Sequence, residues 1–336
     1  MEGIELVQAS GLKPFILAMK RQGIDADRYL QQHGIPSEFI DLAYAPLPKR
    51  RRLWTFLDDV LESEGLVKFG DIMAEDMGLT DMGPLGIQLA HAPTFVEAFH
   101  LLRDNIVNYA QNNEVLVEHD GDKIWLVVES YKKTSRAADL LTVRFIVEMI
   151  RLAAGPDWLP RQARLQTPHA PEIEKFPLLK DCSVEFNRPG AAVTVSKDIV
   201  RSRLRKLDPS TPAAQAELNL TPLPDTGRIS DSLRVVIAGY LPYEGPPSAE
   251  EAADMAGLSR SSLFRRLAAE GTSYRQLVED VRYKAARKLL TNRRMNIKDV
   301  AYLLGYSVPN NFVRAFRKVA GVTPNEFRQS QAQAQA

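Results

Sequence analysis

Hydrophobic positions recur at helical spacing through much of the first two hundred residues. Leu12–Gln32 is amphipathic, and over Lys49–Ser63 the apolar Leu53, Phe56, Leu57, Val60 and Leu61 share one face of an expected helix. Thr94 and Glu97 stand at capping-box spacing before an amphipathic segment that runs to Ala110. The period then falls to two. Glu114–Glu118 and Lys123–Glu129 alternate around His119-Asp120-Gly121-Asp122, a hairpin signal. Ala137–Ala154 is apolar and helical, and shorter strand candidates follow at Ala163–Gln166, Ser183–Phe186 and Ala191–Val195. The pattern predicts an α+β domain over residues 1–207. Leu207–Arg228 holds Pro209, Pro212, Pro222 and Pro224 without sustained periodicity, so residues 208–230 read as a linker with at most one short helical piece. Residues 231–330 read as all-α, and the Gln/Ala-rich residues 331–336 as a disordered tail.

The all-α region contains an internal duplication. Ala253-Asp-Met-Ala-Gly257-Leu-Ser259 aligns with Ala301-Tyr-Leu-Leu-Gly305-Tyr-Ser307 at an offset of 48. Beyond the turn the offset becomes 49, pairing Leu263 with Phe312, Arg265 with Arg314 and Leu267 with Phe316. Each copy is a short helix, a glycine-centred turn and a second helix, the helix-turn-helix pattern, at about 249–270 and 297–320. The small alanine lets the two helices approach, and the glycine supplies a positive-φ turn position.

Start signals agree with these boundaries. Ser248 and Glu251 form a capping box for the first copy, and Asn296 with Asp299 does similar work in the second. Ser259 caps the second helix of copy one. Its counterpart Val308 is a poor cap, but Pro309 follows at a natural first-turn position. Between the copies, Ser273 and Gln276 open a helix to Leu290 whose Leu277, Val281, Ala285 and Leu289 repeat every four residues. At 1.5 Å per residue this linker helix is a strut of about 25 Å. A strut of that size suits two second helices roughly 34 Å apart, one turn of B-DNA.

Charge sharpens the picture. From Arg228 onward there are 17 Lys and Arg against 10 Asp and Glu, a net +7, whereas the rest carries 26 against 32, a net −6. A basic third on an acidic body suggests a polyanionic partner for that third. No apolar run approaches a membrane span, and the N-terminus has no basic-then-apolar leader pattern. The single cysteine, Cys182, excludes an internal disulfide and a paired-cysteine metal site, and points to a reducing cytoplasm and a small buried side chain rather than a nucleophile. His33, His91, His100, His119 and His169 show no metal-ligand or catalytic spacing, so no metal, cofactor or catalytic residue is expected. Leu263, Leu267, Phe312, Phe316, Val319 and Phe327 are expected in the core.

Two longer motifs carry a family resemblance. Arg282-Tyr-Lys-Ala-Ala286-Arg-Lys-Leu289-Leu290 resembles the linker-helix signature of the AraC/XylS transcription regulators. The ordered set Ala301, Gly305, Tyr306, Phe312, Arg314, Phe316, Arg317, Gly321, Thr323, Pro324, Phe327 and Arg328 resembles their C-terminal signature. More weakly, Phe69-Gly70, Met82-Gly-Pro-Leu-Gly86, Thr94-Phe-Val-Glu-Ala98, Trp158-Leu-Pro160 and Val184-Glu-Phe186 resemble the arabinose-binding-domain-like, non-cupin sensor of a subset that includes regulators of amino-acid and lipid metabolism and of virulence.

The resemblance implies base contact by Ser261 and Arg265 of the first recognition helix, and by Asn310 and Arg314 of the second. Phe264, one turn from Ser261, reads either as a thymine-methyl contact or as packing against a neighbouring helix. Pro309 occupies a position where polar readers are common, so readout there is apolar or absent. Arg260, Arg266, Arg317 and Lys318 are expected at phosphates. Arg282 is open between phosphate contact and structural pairing. The resemblance further implies duplex promoter DNA, RNA polymerase, a second copy of the chain and a small-molecule effector, carboxylate-bearing rather than a sugar, as partners of an activator. No effector-binding residue is singled out. Three rival readings are a sensor region that only dimerises, an enzyme carrying a DNA-binding appendage, and a helical module that binds protein.

Overall fold

The computed structural model describes residues 3–42, 45–74, 79–121, 123–130, 134–169, 173–204, 223, 227–292 and 294–333. They fall into two compact units, 5–223 and 224–336, residues 1–4 clustering with the latter.

The first unit opens with strand β1 (Leu6–Gln8), helices α1 (Lys13–Arg21) and α2 (Ala26–Gln32), and strand β2 (Pro46–Pro48), which pairs antiparallel with β1. The amphipathic segment Leu12–Gln32 is thus two helices. Asp25 restarts the helix by accepting from the Arg28 N–H at 3.0 Å, a local signal that the hydrophobic period does not carry. The helix expected from Lys49 begins instead as a π-helical turn, Lys49–Trp54, before α3 (Thr55–Ala74), which breaks at Gly65. Gly70 of α3 is a close-approach site: a Cβ there would lie 2.6 Å from Pro177 Cδ and 3.1 Å from Phe176 Cδ2. Its neighbour Phe69 is buried with its ring 5.5 Å from that of Phe15.

Helices α4 (Pro84–Ala90) and α5 (Phe95–Tyr109) follow. The capping box of α5 is complete, with the Glu97 N–H donating to Thr94 Oγ1 at 3.2 Å and the Thr94 N–H to Glu97 Oε2 at 3.1 Å. A five-stranded sheet comes next: β3 (Asn113–Asp120), β4 (Lys123–Ser130), β5 (Gln162–Arg164), β6 (Ser183–Glu185) and β7 (Gly190–Val195), in the order β3-β4-β7-β5-β6. Asp120 pairs with Lys123, so the hairpin turns on two residues, and Asn113 pairs with Ser130 at its far end. Helix α6 (Arg136–Ala154) packs on β7, and α7 (Lys197–Val200) is the last helix among the described residues of this unit.

In α6 Asp139 is buried and accepts from the N–H and the hydroxyl of Thr167, both at 2.9 Å. Burial outweighs these bonds and raises its pKa to about 6. β1, the π-helical turn, α5, β4 and α6 together enclose a cavity of about 100 Å³.

The second unit is helical throughout: α8 (Ile229–Tyr240), α9 (Ala249–Met255), α10 (Arg260–Ala269), α11 (Tyr274–Leu290), α12 (Ile297–Leu303), α13 (Pro309–Ala320) and α14 (Pro324–Gln333). Helix α8, not anticipated above, packs its buried Leu233, Val236 and Ile237 side against α11 and α10. Its first N–H groups, of Ile229 and Ser230, donate to the Glu270 carboxylate at 3.2 and 3.0 Å. Burial pushes the Glu270 pKa up, but Ser230, Ile229 and Arg228 together hold it below its ordinary value. Residues 208–222 and 224–226 of the expected linker lie outside the described residues, and its last two residues already belong to α8. Likewise 331–333 of the expected tail belong to α14, while 334–336 lie outside the described residues.

Helix α11 departs from its expected stripe. The buried set is Leu277, Val281, Ala286 and Leu290, not Ala285 and Leu289. A repeat of four overruns the 3.6-residue turn by about 40° per step, so over the steps from Leu277 to Leu289 the drift reaches about 120° and the buried side moves to the next residue.

Candidate nucleic-acid interface

The two helix-turn-helix units, α9–α10 and α12–α13, turn by the same backbone device. The Leu258 N–H donates to Ala253 O at 2.9 Å, and the Tyr306 N–H to Ala301 O at 3.0 Å. Gly257 and Gly305 take φ of 65° and 70°. Counting from the glycine, α10 is capped at Ser259 but α13 at Val308, so the second turn holds one residue more, which is the register slip seen in the sequence. Ser259 accepts from the Ser262 N–H at 3.2 Å, whereas Val308 makes no side-chain cap and Pro309 fills the first position. Gly305 is also crowded: a Cβ there would lie 3.1 Å from Gly245 Cα and 3.1 Å from Pro246 Cδ. Gly305→Ala should therefore cost about 2 kcal/mol, the left-handed penalty plus the clash. A shift in the urea midpoint of helical circular dichroism reads it, and a change under about 0.5 kcal/mol would contradict the close approach.

The inner faces are packed as the pattern predicts except at two positions, Val319 and Phe327, the latter half-buried rather than buried. Leu263, Leu267, Phe312 and Phe316 are buried. Phe316 sits at the centre, its ring 5.5 Å from Tyr283 of α11, 5.8 Å from Phe312 and 5.5 Å from Phe327 of α14. Val319, expected in the core, is 53% exposed although it shares the helix face of Phe312, because it stands at the last turn of α13, past the ring cluster.

The outer faces gather the residues singled out for DNA. On α10, Ser261, Phe264 and Arg265 are exposed, with the Ser261 hydroxyl 3.1 Å from that of Ser259. Arg260 pairs with Glu250 at 2.8 Å and lies over the ring of Phe264 at 5.2 Å, and Phe264 is 40% exposed. An exposed pair of this kind is worth little and exchanges readily for a phosphate. Arg266 is half-buried. On α13, Asn310 and Arg314 are exposed one turn apart, Arg317 and Lys318 are exposed as neighbours, and Pro309 is half-buried. The Arg314 guanidinium donates to Asn311 Oδ1 at 2.7 Å, a support that the sequence reading missed.

Arg282 takes the structural role. Its guanidinium donates to Leu304 O at 2.9 Å and Gly305 O at 3.0 Å and stacks 4.4 Å over Tyr306, fixing α11 to the second turn. At the other end of α11, the Tyr274 hydroxyl donates to Pro247 O just ahead of the α9 capping box, where the Glu251 N–H reaches Ser248 Oγ at 3.2 Å. Asn296 accepts from the Asp299 N–H at 2.8 Å as expected. Ser273 accepts from Gln276, but the Gln276 side chain takes the Ser273 hydroxyl instead of its N–H, leaving that box half-formed.

Among the described residues no group of His, Cys, Asp and Glu side chains has metal-binding geometry, and no helix is long and apolar enough to cross a membrane. Cys182 is half-buried and its thiol is pushed up to about 12 by burial, so it stays protonated and unreactive near neutrality.

Comparison with known proteins supplies the class. Residues 252–330 match a helix-turn-helix domain, and residues 23–204, more than half of the chain, match the N-terminal arabinose-binding domain of AraC transcription regulators. The chain belongs to the AraC family of transcription regulators. It is 39% identical over 84 residues to the ornithine utilization regulator of Pseudomonas aeruginosa, covering 25% of each chain. It is 29% identical over 189 residues to the transcriptional regulator VirS of Mycobacterium tuberculosis, covering 56% of this chain and 55% of that one. The matches thus span a quarter to about half the length of these relatives. The solved transcriptional regulator CdpR of Pseudomonas aeruginosa aligns over 95% of this chain and 98% of its own at 20% identity, with a TM-score of 0.39.

Proposed function

We propose that this chain is a sequence-specific transcription regulator, an activator whose residues 5–223 bind a small-molecule effector and whose α9–α13 bind duplex promoter DNA. The observation that carries the reading is the pair of second helices, α10 and α13, each burying one side and exposing polar and cationic side chains on the other. In this reading Ser261, Phe264, Arg265, Asn310 and Arg314 meet base edges with Pro309 beside them, and Arg260, Arg266, Arg317 and Lys318 meet phosphates. The protein works in the cytoplasm without a metal, cofactor or catalytic step, as a homodimer that engages RNA polymerase. The effector is a carboxylate-bearing metabolite, and its binding shifts the equilibrium toward the activating arrangement.

DNA binding tests the reading directly. Arg314→Ala should cost about 1–3 kcal/mol on the cognate site and relax preference at one base step, while Arg317→Ala should weaken all sequences alike. Gel shifts on cognate and scrambled duplexes decide it; equal losses on both for Arg314→Ala would remove that residue as a base reader. Each monomer should also protect about two turns of duplex from nuclease. Protection of a single major-groove segment per monomer would mean that only one unit engages, and α10, with Ser261 and Phe264 as weak readers, is the one expected to be silent.

A further inference from the structure

The cavity in the first unit has a chemical polarity that names a ligand class. Its wall is mostly apolar, formed by side chains such as Leu12, Leu53, Trp54, Ile106, Leu141 and Phe145, and among the described residues no Asp or Glu lines it and one cation does. The Lys49 ammonium donates to Asn113 Oδ1 at 2.6 Å and to Gln111 O at 3.1 Å, and lies 5.2 Å from the centre of the Trp54 ring. The π-helical turn is what brings Lys49 and Trp54, five residues apart, to one face.

A second polar atom stands at the same end. Asn113 is the cross-strand partner of Ser130, which also lines the cavity, and the Ser130 hydroxyl is buried with no partner among the described residues. Cross-strand partners share a face of the sheet. Other polar groups on the wall are engaged: the Thr142 hydroxyl with Ala138 O, the Gln166 amide with Pro189 O and Ser130 O, and Gln8 Oε1 with the Ala45 N–H. A buried donor left unmade and an ammonium at the end of an apolar chamber together fit an anion carried on an apolar body. A sugar fits poorly, since each of its hydroxyls would need a partner that the wall has already committed.

We propose that this cavity receives an amphipathic monocarboxylate, with the Lys49 ammonium and the Ser130 hydroxyl holding the carboxylate and the apolar wall enclosing the tail. The inference rests on residues 5–223 being the sensing unit of the proposed regulator.

The test uses the full chain and three probes: octanoate, 1-octanol and L-arabinose, titrated by calorimetry, with promoter-DNA binding measured in parallel. Octanoate should bind at least about ten-fold more tightly than 1-octanol, since one hydrogen bond to a charged group accounts for that much. Ser130→Ala should narrow the gap and Lys49→Met should close it. Should Lys49→Met fail to fold, Leu141→Trp fills the chamber and should abolish octanoate binding while leaving DNA binding intact. The proposal is overturned by equal affinity for acid and alcohol, by tighter binding of L-arabinose, by octanoate binding that survives Leu141→Trp, or by a protein that binds DNA and none of the probes. A protein that binds octanoate as described but no DNA upholds the pocket and sinks the regulator reading.

Discussion

Phe316→Ala should lower the stability of the helical second unit by about 3–5 kcal/mol, the range for deleting a buried aromatic ring, and abolish the proposed DNA binding near body temperature. Phe316 is 3% exposed and its ring touches three others, from α11, α13 and α14, so its loss leaves a cavity at the junction of the linker helix with the second helix-turn-helix. Arg282 would still bridge to the turn, but its anchor points on α11 and α12 would no longer share a packed floor. All three tryptophans, Trp54, Trp125 and Trp158, lie within residues 5–223, which gives the experiment an internal reference. Helical circular dichroism should show an early urea transition in the variant, with the tryptophan fluorescence transition as the reference. A loss below about 1 kcal/mol would mean that α13 does not depend on this ring cluster.

The stability of the first unit should fall as pH rises from about 4 to about 6, by up to roughly 3 kcal/mol from one residue. The residue is Asp139, whose burial raises its folded pKa to about 6 from 3.8. Because the folded state then holds the proton more tightly than the unfolded chain, the contribution is fully present below the unfolded pKa and lost as pH passes the folded one. Asp139→Asn keeps an oxygen for the Thr167 N–H and hydroxyl but cannot ionise, so it should flatten the dependence. Urea midpoints followed by tryptophan fluorescence from pH 4 to 7.5 give the comparison. Parallel curves for variant and wild type would place the pH dependence elsewhere.

How far the sequence foretold this structure differs between the units. In the second, every helix from Ala249 to Ala320 carries its own start signal, and the duplication fixes the turn glycines, so local chemistry and packing agree. Helix α8 lacked such a signal because its cap, Glu270, lies forty residues away in sequence. In the first unit the hairpin and the Thr94 box were legible, being local. Lys49 was not. It stands in Lys49-Arg-Arg-Arg52, a run that reads as solvated surface, and only the wide π-helical turn and the oxygen atoms of Gln111 and Asn113 turn it inward. Asn311 was passed over for a related reason: its work is to hold Arg314, and such support leaves no mark in spacing. Arg282 showed the opposite limit, since its place in the linker-helix motif was plain while its partners, two backbone oxygens and a ring, became visible only in three dimensions.

The extra residue in the second turn sets a rule for exchanging parts between the two copies. Both turns close on the same hydrogen bond after the glycine, yet α13 begins one position later than α10. Each residue advances a helix by about 100°. A graft of Pro309–Ala320 onto the first turn, aligned by the glycine alone, would rotate Asn310 and Arg314 about a quarter turn away from the outward face and bring Phe312 and Phe316 round toward solvent. The transplantable piece is the turn together with its second helix, Gly305–Ala320 in place of Gly257–Ala269. Tyr306 would then travel with it and arrive without the Arg282 that holds it here. The two units are thus duplicates in plan but not interchangeable parts, and under the proposed function new DNA specificity in this scaffold is reached more safely by changing side chains in place than by moving helices.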